Sequence, residues 1–526
     1  MKKIFKNLGG ALMLAAALVF TSCDEFKSFI DNPVSSYLEV NPESVTLKVG
    51  EEKALKVTTI SDQPITYTSS NKDVATVDEK GVITAVSEGD AIITVSVAST
   101  ATYAAGMKQV QVKVVPAIDP ILTTPLTIEA KAEDGATVKL KKSDSYELET
   151  IKYKKSTDTS WKDYEFTGEN GAEISLNQGE SVSFWSNNAA LGQESGGWTY
   201  YSYFVISDEC YVYGNVMSMI DDQEGATAEN PKFSTDEEIG ASYAFYNLFR
   251  FCTKILNHES KELVLPATKL ASHCYQGMFY NCEKLTKAPE LKAETLEDYC
   301  YQAMFSGCTS LTKAPELKAE TLKDYCYASM FSGCTSLTEA PELKAEKLED
   351  YCYRSMFSYC KSLTKAPELK AETLARYCYG SMFFGCSSLT KAPDLKAKTL
   401  KDNCYDSMFS GCSSLTEAPE IAAETVAPYC CLNMFSSCTS LTEGPVLKAK
   451  KLEEACYNGM FMFCSKLGSL TCLATNISAN ACVNGWVSYA GSQVVGDKKL
   501  YVDPSMTEKD WKFPTSVVWK AVPAIN

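Results

Sequence analysis

Two rows of cysteine carry the most regular chemistry in the chain. Cys274, Cys300, Cys326, Cys352, Cys378, Cys404, Cys430 and Cys456 lie 26 residues apart. Cys282, Cys308, Cys334, Cys360, Cys386, Cys412, Cys438 and Cys464 repeat in the same phase. Zinc asks for thiolates as close as Cys-x-x-Cys, usually with histidine. Here 7 residues part the two cysteines of each copy and the chain has 2 histidines, so no metal is expected. A disulfide needs Cα atoms about 4.4–6.8 Å apart. Eight helical residues span about 12 Å, and packed helices sit about 8–10 Å apart. The second row falls in a turn, and an oxidising compartment favours pairing. Disulfides therefore stay open beside the favoured reading, small buried thiols packing as apolar groups. Cys210, Cys431, Cys472 and Cys482 belong to neither row by this reading.

Catalysis by these thiols would need a histidine base. His273 precedes Cys274, but other copies put Tyr, Asn or Ala there, and successive helical residues point apart. No catalytic residue, enzyme activity or cofactor is expected. Aromatic residues offer binding chemistry instead. Tyr299, Tyr325, Tyr351, Tyr377 and Tyr429 each precede a first-row cysteine. On a helical wheel this position lies about 100° from the cysteine, partly exposed. It could form a binding stripe, Tyr being favoured at interfaces, or each ring could cover its neighbour's edge. Trp161, Trp185 and Trp198 precede Tyr200, Tyr201 and Tyr203. Such rings suit a sandwich core or a sugar platform. Trp198, after Gly196-Gly197, is the member expected to be exposed.

The elements that position these residues follow from the period. Thr295 to Ser306 reads as a helix burying Leu296, Cys300, Tyr301, Met304 and Phe305 on one arc. Gly307 would stop it. Leu311 packs inward, and Ala314-Pro315-Glu316-Leu317 gives a short extended segment whose Pro cannot donate to a ladder. Segments such as Lys292-Ala293-Glu294 read as solvated, charge-balanced surface. An irregular leading copy spans Tyr243 to Leu256. Stacked repeats of this length mean a solenoid over 236–470. Residues 471–526 break the period, and Trp486, Trp511 and Trp519 suggest a separately folded cap. Met304-Phe305-Ser306-Gly307-Cys308-Thr309-Ser310-Leu311 resembles the central mark of BspA-like leucine-rich repeats. That resemblance implies an α/β solenoid on a bacterial surface protein, associated with adhesion to host matrix proteins or other bacteria.

Upstream, Val45–Gly50, Ala54–Val57, Ile65–Thr68, Val74–Val77, Val82–Val86 and Ala91–Val95 alternate between turn residues, predicting an all-β sandwich over 37–116. Ser69-Ser70-Asn71, Val74-Ala75-Thr76-Val77 and Gly81-Val82-Ile83-Thr84-Ala85 resemble the group 2 bacterial immunoglobulin-like domain, with Tyr67 where Trp is usual. The resemblance implies a stalk or adhesin module without catalytic residues. After a Pro-marked linker, 117–235 reads as a second β-rich domain. At the start, Lys2, Lys3 and Lys6 precede an apolar run, Leu8 to Phe20, too short to span a bilayer comfortably. Thr21-Ser22-Cys23 resembles a bacterial lipobox, though with Phe20 in an unusual place. This implies a signal peptide over 1–22, lipidation of Cys23 and a linker over 23–36. Asp24-Glu25 resembles a surface-export signal of such lipoproteins, implying a lipid anchor at the outer membrane, facing outward.

Length fits several domains, with 526 residues of which 45% are apolar, and the net charge of −16 disfavours nucleic acid. The function expected is a non-enzymatic, adhesin-like interaction protein binding host or bacterial proteins through the solenoid. The alternative is glycan capture by the aromatic-rich second β domain.

Overall fold

The computed structural model describes residues 35–115, 120–144, 146–233, 238–507, 510–511 and 519–524. Cys23 and the leader lie outside them. The chain divides into two compact units, one up to Asp119 and one from Pro120 onward.

In the first unit, strands Ser44–Lys48, Gly106–Val115, Gly89–Val97 and Ile65–Ser69 lie side by side in that order. A three-stranded sheet joins Glu52–Ala54, Val82–Ala85 and Ala75–Val77. Strict alternation puts Ala91, Ile93, Val95 and Val97 into the core with Val110, Val112 and Val114, as a half-buried sheet requires. The Asp78–Val82 turn is held by Asp78 Oδ1, which accepts from the N–H groups of Lys80 (2.9 Å) and Val82 (2.8 Å). Gly81 is needed there, because its φ is +78° and a Cβ would come within 2.8 Å of the Tyr67 ring.

The second unit starts with two antiparallel sheets. One orders Lys162–Asp163, Ile151–Lys155, Ser181–Ser186, Thr127–Ala130 and Cys210–Asn215; the other is centred on Ala136–Lys142 and Trp198–Ile206. Leu140, Phe184 and Phe204 fill the space between them. The boundary expected near residue 235 does not divide the core. Cys210–Asn215 pairs in parallel with Ile255–Leu256 and Leu263–Val264 of the first coil. Phe204 stacks on Phe249 at 5.3 Å.

The expected helix over Thr295–Ser306 does not form. This stretch is a run of turns whose N–H groups alternate in destination. Cys300, Gln302, Met304 and Ser306 donate three residues back, to Glu297, Tyr299, Tyr301 and Ala303. Tyr299, Tyr301, Ala303, Phe305 and Gly307 donate to the next coil, at Asp324, Cys326, Ala328, Met330 and Ser332. Tyr299, Ala303 and Gly307 take left-handed φ values of +61°, +52° and +78°, which no α-helix tolerates in sequence. A helix would keep every interior N–H for its own carbonyls and leave neighbouring coils without a main-chain ladder. The wheel misled because inward pairs at 300/301 and 304/305 fit a period of four as well as 3.6. The α/β expectation is corrected accordingly: the coils are built of turns and extended segments. On the other side of each coil, single parallel bridges join Lys287, Lys313, Glu339 and Lys365 in succession, the partial pairing that Pro at 289, 315 and 341 permits.

Identical side chains stack as a result. Phe249, Phe279, Phe305, Phe331 and their successors to Phe461 form one buried ladder, with ring centroids 5.5–5.8 Å apart between Phe279 and Phe357. Tyr275 to Tyr405 form a second, 5.8 Å apart at Tyr301–Tyr327. The C-terminal residues do not make a separate core. Glu443–Leu447, Ser469–Cys472, Lys498–Val502 and Trp519–Pro523 form one parallel sheet. Trp486, Trp511 and Trp519 are buried in the core shared with the repeats.

Two outcomes are expected. The far-ultraviolet circular dichroism of the protein should lack the helical double minimum; a spectrum dominated by it would refute the turn-stack geometry. Phe357 is fully buried between Phe331 and Phe383, so Phe357→Ala should cost about 3–5 kcal/mol, read as a lowered urea midpoint.

Candidate functional site

The tyrosines predicted as a stripe do stack, and two residues that sequence reasoning missed extend them. Tyr243 and His273 lie 4.5 Å apart, His273 and Tyr299 4.5 Å, Tyr299 and Tyr325 4.6 Å, Tyr325 and Tyr351 4.3 Å, and Tyr351 and Tyr377 4.7 Å. Tyr243 escaped notice because it precedes His273 by 30 residues, outside the regular spacing. Asn403 interrupts the ladder, and Tyr429 stands beyond it, its hydroxyl raised by Glu454. All five predicted tyrosines are half-buried. His273, Tyr299, Tyr325 and Tyr351 have a stacked ring on both faces, and Tyr377 at the end of the ladder on one.

Charged groups border this ladder. Asp298 Oδ1 accepts from the Asp324 N–H and Asp324 Oδ1 from the Asp350 N–H, each at 3.1 Å. Arg376 closes the row, its guanidinium 2.6 Å from Asp350 Oδ2. Burial, then the charges of Asp298 and Asp350, push the Asp324 carboxyl above its ordinary range. Arg354 lies 5.7 Å from the Tyr351 ring centre and 5.4 Å from that of Tyr377. The edge therefore offers phenol hydroxyls with carboxylates and guanidinium beside them, a hydrogen-bonding strip rather than a stacking platform. The Lys/Glu surface elsewhere neutralises itself. Glu290–Lys318, Glu316–Lys344 and Glu342–Lys370 pair across coils at 3.0, 2.8 and 2.7 Å. Such exposed pairs contribute little stability and leave no single-sign field there to steer a partner.

Trp198 is 72% exposed at the tip of its hairpin, where Ser195 faces it across Gly196-Gly197. The other two tryptophans of the group serve the fold. Trp185 is buried and donates its indole N–H to Asp221 Oδ2 at 2.7 Å, and Trp161 packs half-buried on the core. A cleft of about 670 Å³ lies where the sandwich meets the first coils, bordered by His258, Lys261 and Pro289. Its Lys261 is already paired with Glu129 at 2.8 Å.

All 21 described cysteines are free and buried. The second row has a polar task that spacing did not reveal. Cys308 Sγ donates to the Phe279 carbonyl at 3.2 Å, Cys334 to Phe305 at 3.1 Å and Cys360 to Phe331 at 3.1 Å. The same geometry places Cys252 on Phe204 at 3.1 Å. Cys482, read as outside both rows, continues the first row: Tyr457 donates to its carbonyl as Tyr275 does to that of Cys300. Cys431 takes the place of a ladder tyrosine, and Cys472 lies opposite Leu447. Burial pushes the thiols of Cys308, Cys326 and Cys386 up to about 12. His273 Nδ1 is engaged by Ser272 Oγ at 2.6 Å, and burial lowers the pKa of this ring. Among the described residues no cluster of His, Cys, Asp or Glu is placed to hold a metal ion.

With this geometry established, comparison with known proteins adds one identification. Residues 36–106 match the family model of the bacterial Ig-like domain (group 2). The match lies within the first compact unit, in agreement with the sandwich found there. No curated protein matches the chain.

The thiols set a pH limit. A buried acid whose folded pKa is raised stabilises the fold fully below its unfolded pKa, here 9.0 for Cys. That stability is lost as pH climbs from there towards about 12. The melting temperature should therefore stay level around neutrality and fall above about pH 9. A maleimide at neutral pH should leave the described thiols unlabelled until denaturant is added; rapid labelling of many of them in the native protein would contradict their burial.

Proposed function

We propose that the chain is a surface-anchored, non-enzymatic interaction protein of adhesin-like kind. In this reading the coils from 236 to 470 are a BspA-like leucine-rich-repeat solenoid that binds host or bacterial proteins. A lipidated Cys23 would hold it at the outer membrane with the repeats outward. The observation that carries the reading is the unbroken stack of coils and the hydrogen-bonding strip along it, where Tyr299 to Tyr377 run beside Asp298, Asp324, Asp350 and Arg376. Stacked coils offer long surfaces to protein partners, and Tyr and Arg are over-represented where such contacts are strong. The burial of the thiols supports the non-enzymatic part, since a reactive cysteine needs an accessible thiolate.

Trp198 favours a second reading. Its 72% exposure at a Gly-Gly hairpin tip suits glycan capture by the β-rich portion between 117 and 235.

The test is capture of the soluble chain, and of residues 120–526 alone, on immobilised matrix proteins and on glycan arrays. Residues 120–526 are expected to retain protein binding, and Tyr325→Ala with Tyr351→Ala to weaken it about tenfold. Binding that disappears with the first unit would instead assign it to the Ig-like domain. Glycan binding lost in Trp198→Ala would support the second reading. Cys23→Ala should abolish acyl labelling and release the protein from the membrane fraction; unchanged membrane retention would refute the anchor.

A further inference from the structure

Three pairs of phenols stand apart from the other tyrosine contacts among the described residues. Tyr299 and Tyr325 lie 4.6 Å apart with planes 9° from parallel, Tyr325 and Tyr351 4.3 Å and 7°, and Tyr351 and Tyr377 4.7 Å and 11°. Nearly parallel rings repeated from coil to coil set like carbons opposite one another. The carbons beside one hydroxyl therefore face those beside the next at about the spacing of the ring centres. Elsewhere tyrosine rings meet at 5.2–6.2 Å. Tyr201–Tyr246, Tyr243–Tyr246 and Tyr201–Tyr203 are tilted by 68°, 61° and 44°. The buried ladder is parallel but wider, 5.8 Å at Tyr301–Tyr327. Tyr359 and Tyr489 stand more open, but the rings beside them are Phe384 and Phe463. Tyr429 has Asn403 and Ala455 as its neighbours in the row.

Access follows the same division. Tyr299, Tyr325, Tyr351 and Tyr377 each keep part of their surface in solvent, whereas Tyr301 and Tyr327 are buried. The thiols that follow the four outer tyrosines, Cys300, Cys326, Cys352 and Cys378, are fully buried. Cysteine oxidation needs an accessible thiolate, so an oxidant arriving at this face meets phenols and not thiols. A partly exposed side chain changes rotamer within picoseconds to nanoseconds, which lets one ring swing towards the next. A ring locked in the core has no such freedom.

We propose that Tyr299, Tyr325, Tyr351 and Tyr377 form an oxidative cross-linking site at which dityrosine bonds join neighbouring coils. The oxidant is of the peroxide class, hydrogen peroxide acting through a haem peroxidase. Two neighbouring phenols each give up the hydrogen atom of the hydroxyl, and the peroxide is reduced by both to two waters. The unpaired electron of each phenoxyl is shared with the carbons beside its oxygen. One such carbon from each ring forms the new C–C bond. The hydrogen each carried moves to the phenol oxygen, restoring both hydroxyls. The bond ties residues 26 apart in sequence and restrains the unfolded chain as a disulfide would, a tie that the free, buried thiols do not make. The site uses side chains of the strip proposed for protein binding, yet cross-linking needs no partner, so either reading can fail alone.

The test is treatment of the full chain, dilute enough to stay monomeric, with hydrogen peroxide and a haem peroxidase. Dityrosine fluorescence is read in the monomer band, and linked peptides are mapped by mass spectrometry. The expected products are monomers two hydrogens lighter for each bond, with links at 299–325, 325–351 or 351–377. Tyr325→Phe with Tyr351→Phe keeps the stacked rings but breaks all three pairs, and should lose these links. Tyr299→Phe with Tyr377→Phe leaves the closest pair intact and should retain the 325–351 link. Unchanged melting temperatures would confirm that both variants fold. A wild type without dityrosine would overturn the site, as would dityrosine confined to covalent dimers. Monomer fluorescence undiminished in Tyr325→Phe with Tyr351→Phe, or links mapping instead to Tyr201, Tyr203 and Tyr246, would overturn it too.

Discussion

The repeat region depends on one constraint: alternate backbone N–H groups must leave their own coil and reach the next. Buried main-chain groups have to be paired, and each coil is too short to bury or satisfy itself. Sending every second N–H to the neighbouring coil solves both problems at once. The geometry demands a left-handed residue at every fourth position, as at Tyr299, Ala303 and Gly307. Each non-glycine in that conformation costs about 1–2 kcal/mol, and the bond it donates to the next coil offsets the cost.

Side-chain identity follows from this ladder. Coils related by a main-chain bond place equivalent residues directly above one another, so rings repeat as stacks with planes nearly parallel, 2° apart at Phe279–Phe305. Cysteine fits the second row because the site is dry and narrow yet contains a carbonyl, that of the phenylalanine one coil back. A thiol is small and apolar enough to be buried and still donates weakly. An alanine would leave the donor out, and a larger side chain would part the coils. Cys431 shows the same stack tolerating a smaller group where Tyr405 and Tyr457 flank it in phase.

A stack of this kind exposes unpaired ends, and the chain closes both with its own β structure. Upstream, Cys210–Asn215 carries the sandwich sheet into the first coil, and Phe204 begins the phenylalanine ladder. Downstream, the four-stranded parallel sheet and the Trp486–Trp511 stack, 5.4 Å between ring centres, finish it. Portions that read as separate modules thus share one core from Leu126 to Trp519.

The sequence by itself determined the Ig-like sandwich, the 26-residue period and which side chains of each repeat are buried, because burial needs only a pattern of apolar residues at fixed spacing. Leu296, Cys300, Tyr301, Met304 and Phe305 are all inside, as the wheel requires. The tertiary structure alone decided that this pattern is carried by turns. Over twelve residues a repeat of four and a repeat of 3.6 place the same residues inward, and the deciding bonds run between coils, where a single repeat holds no trace of them. The shared core had the same origin, since strands far apart in sequence pair only in space. So did the row of exposed rings at Phe251, Tyr359, Phe463 and Tyr489, which only the stacking of coils brings together.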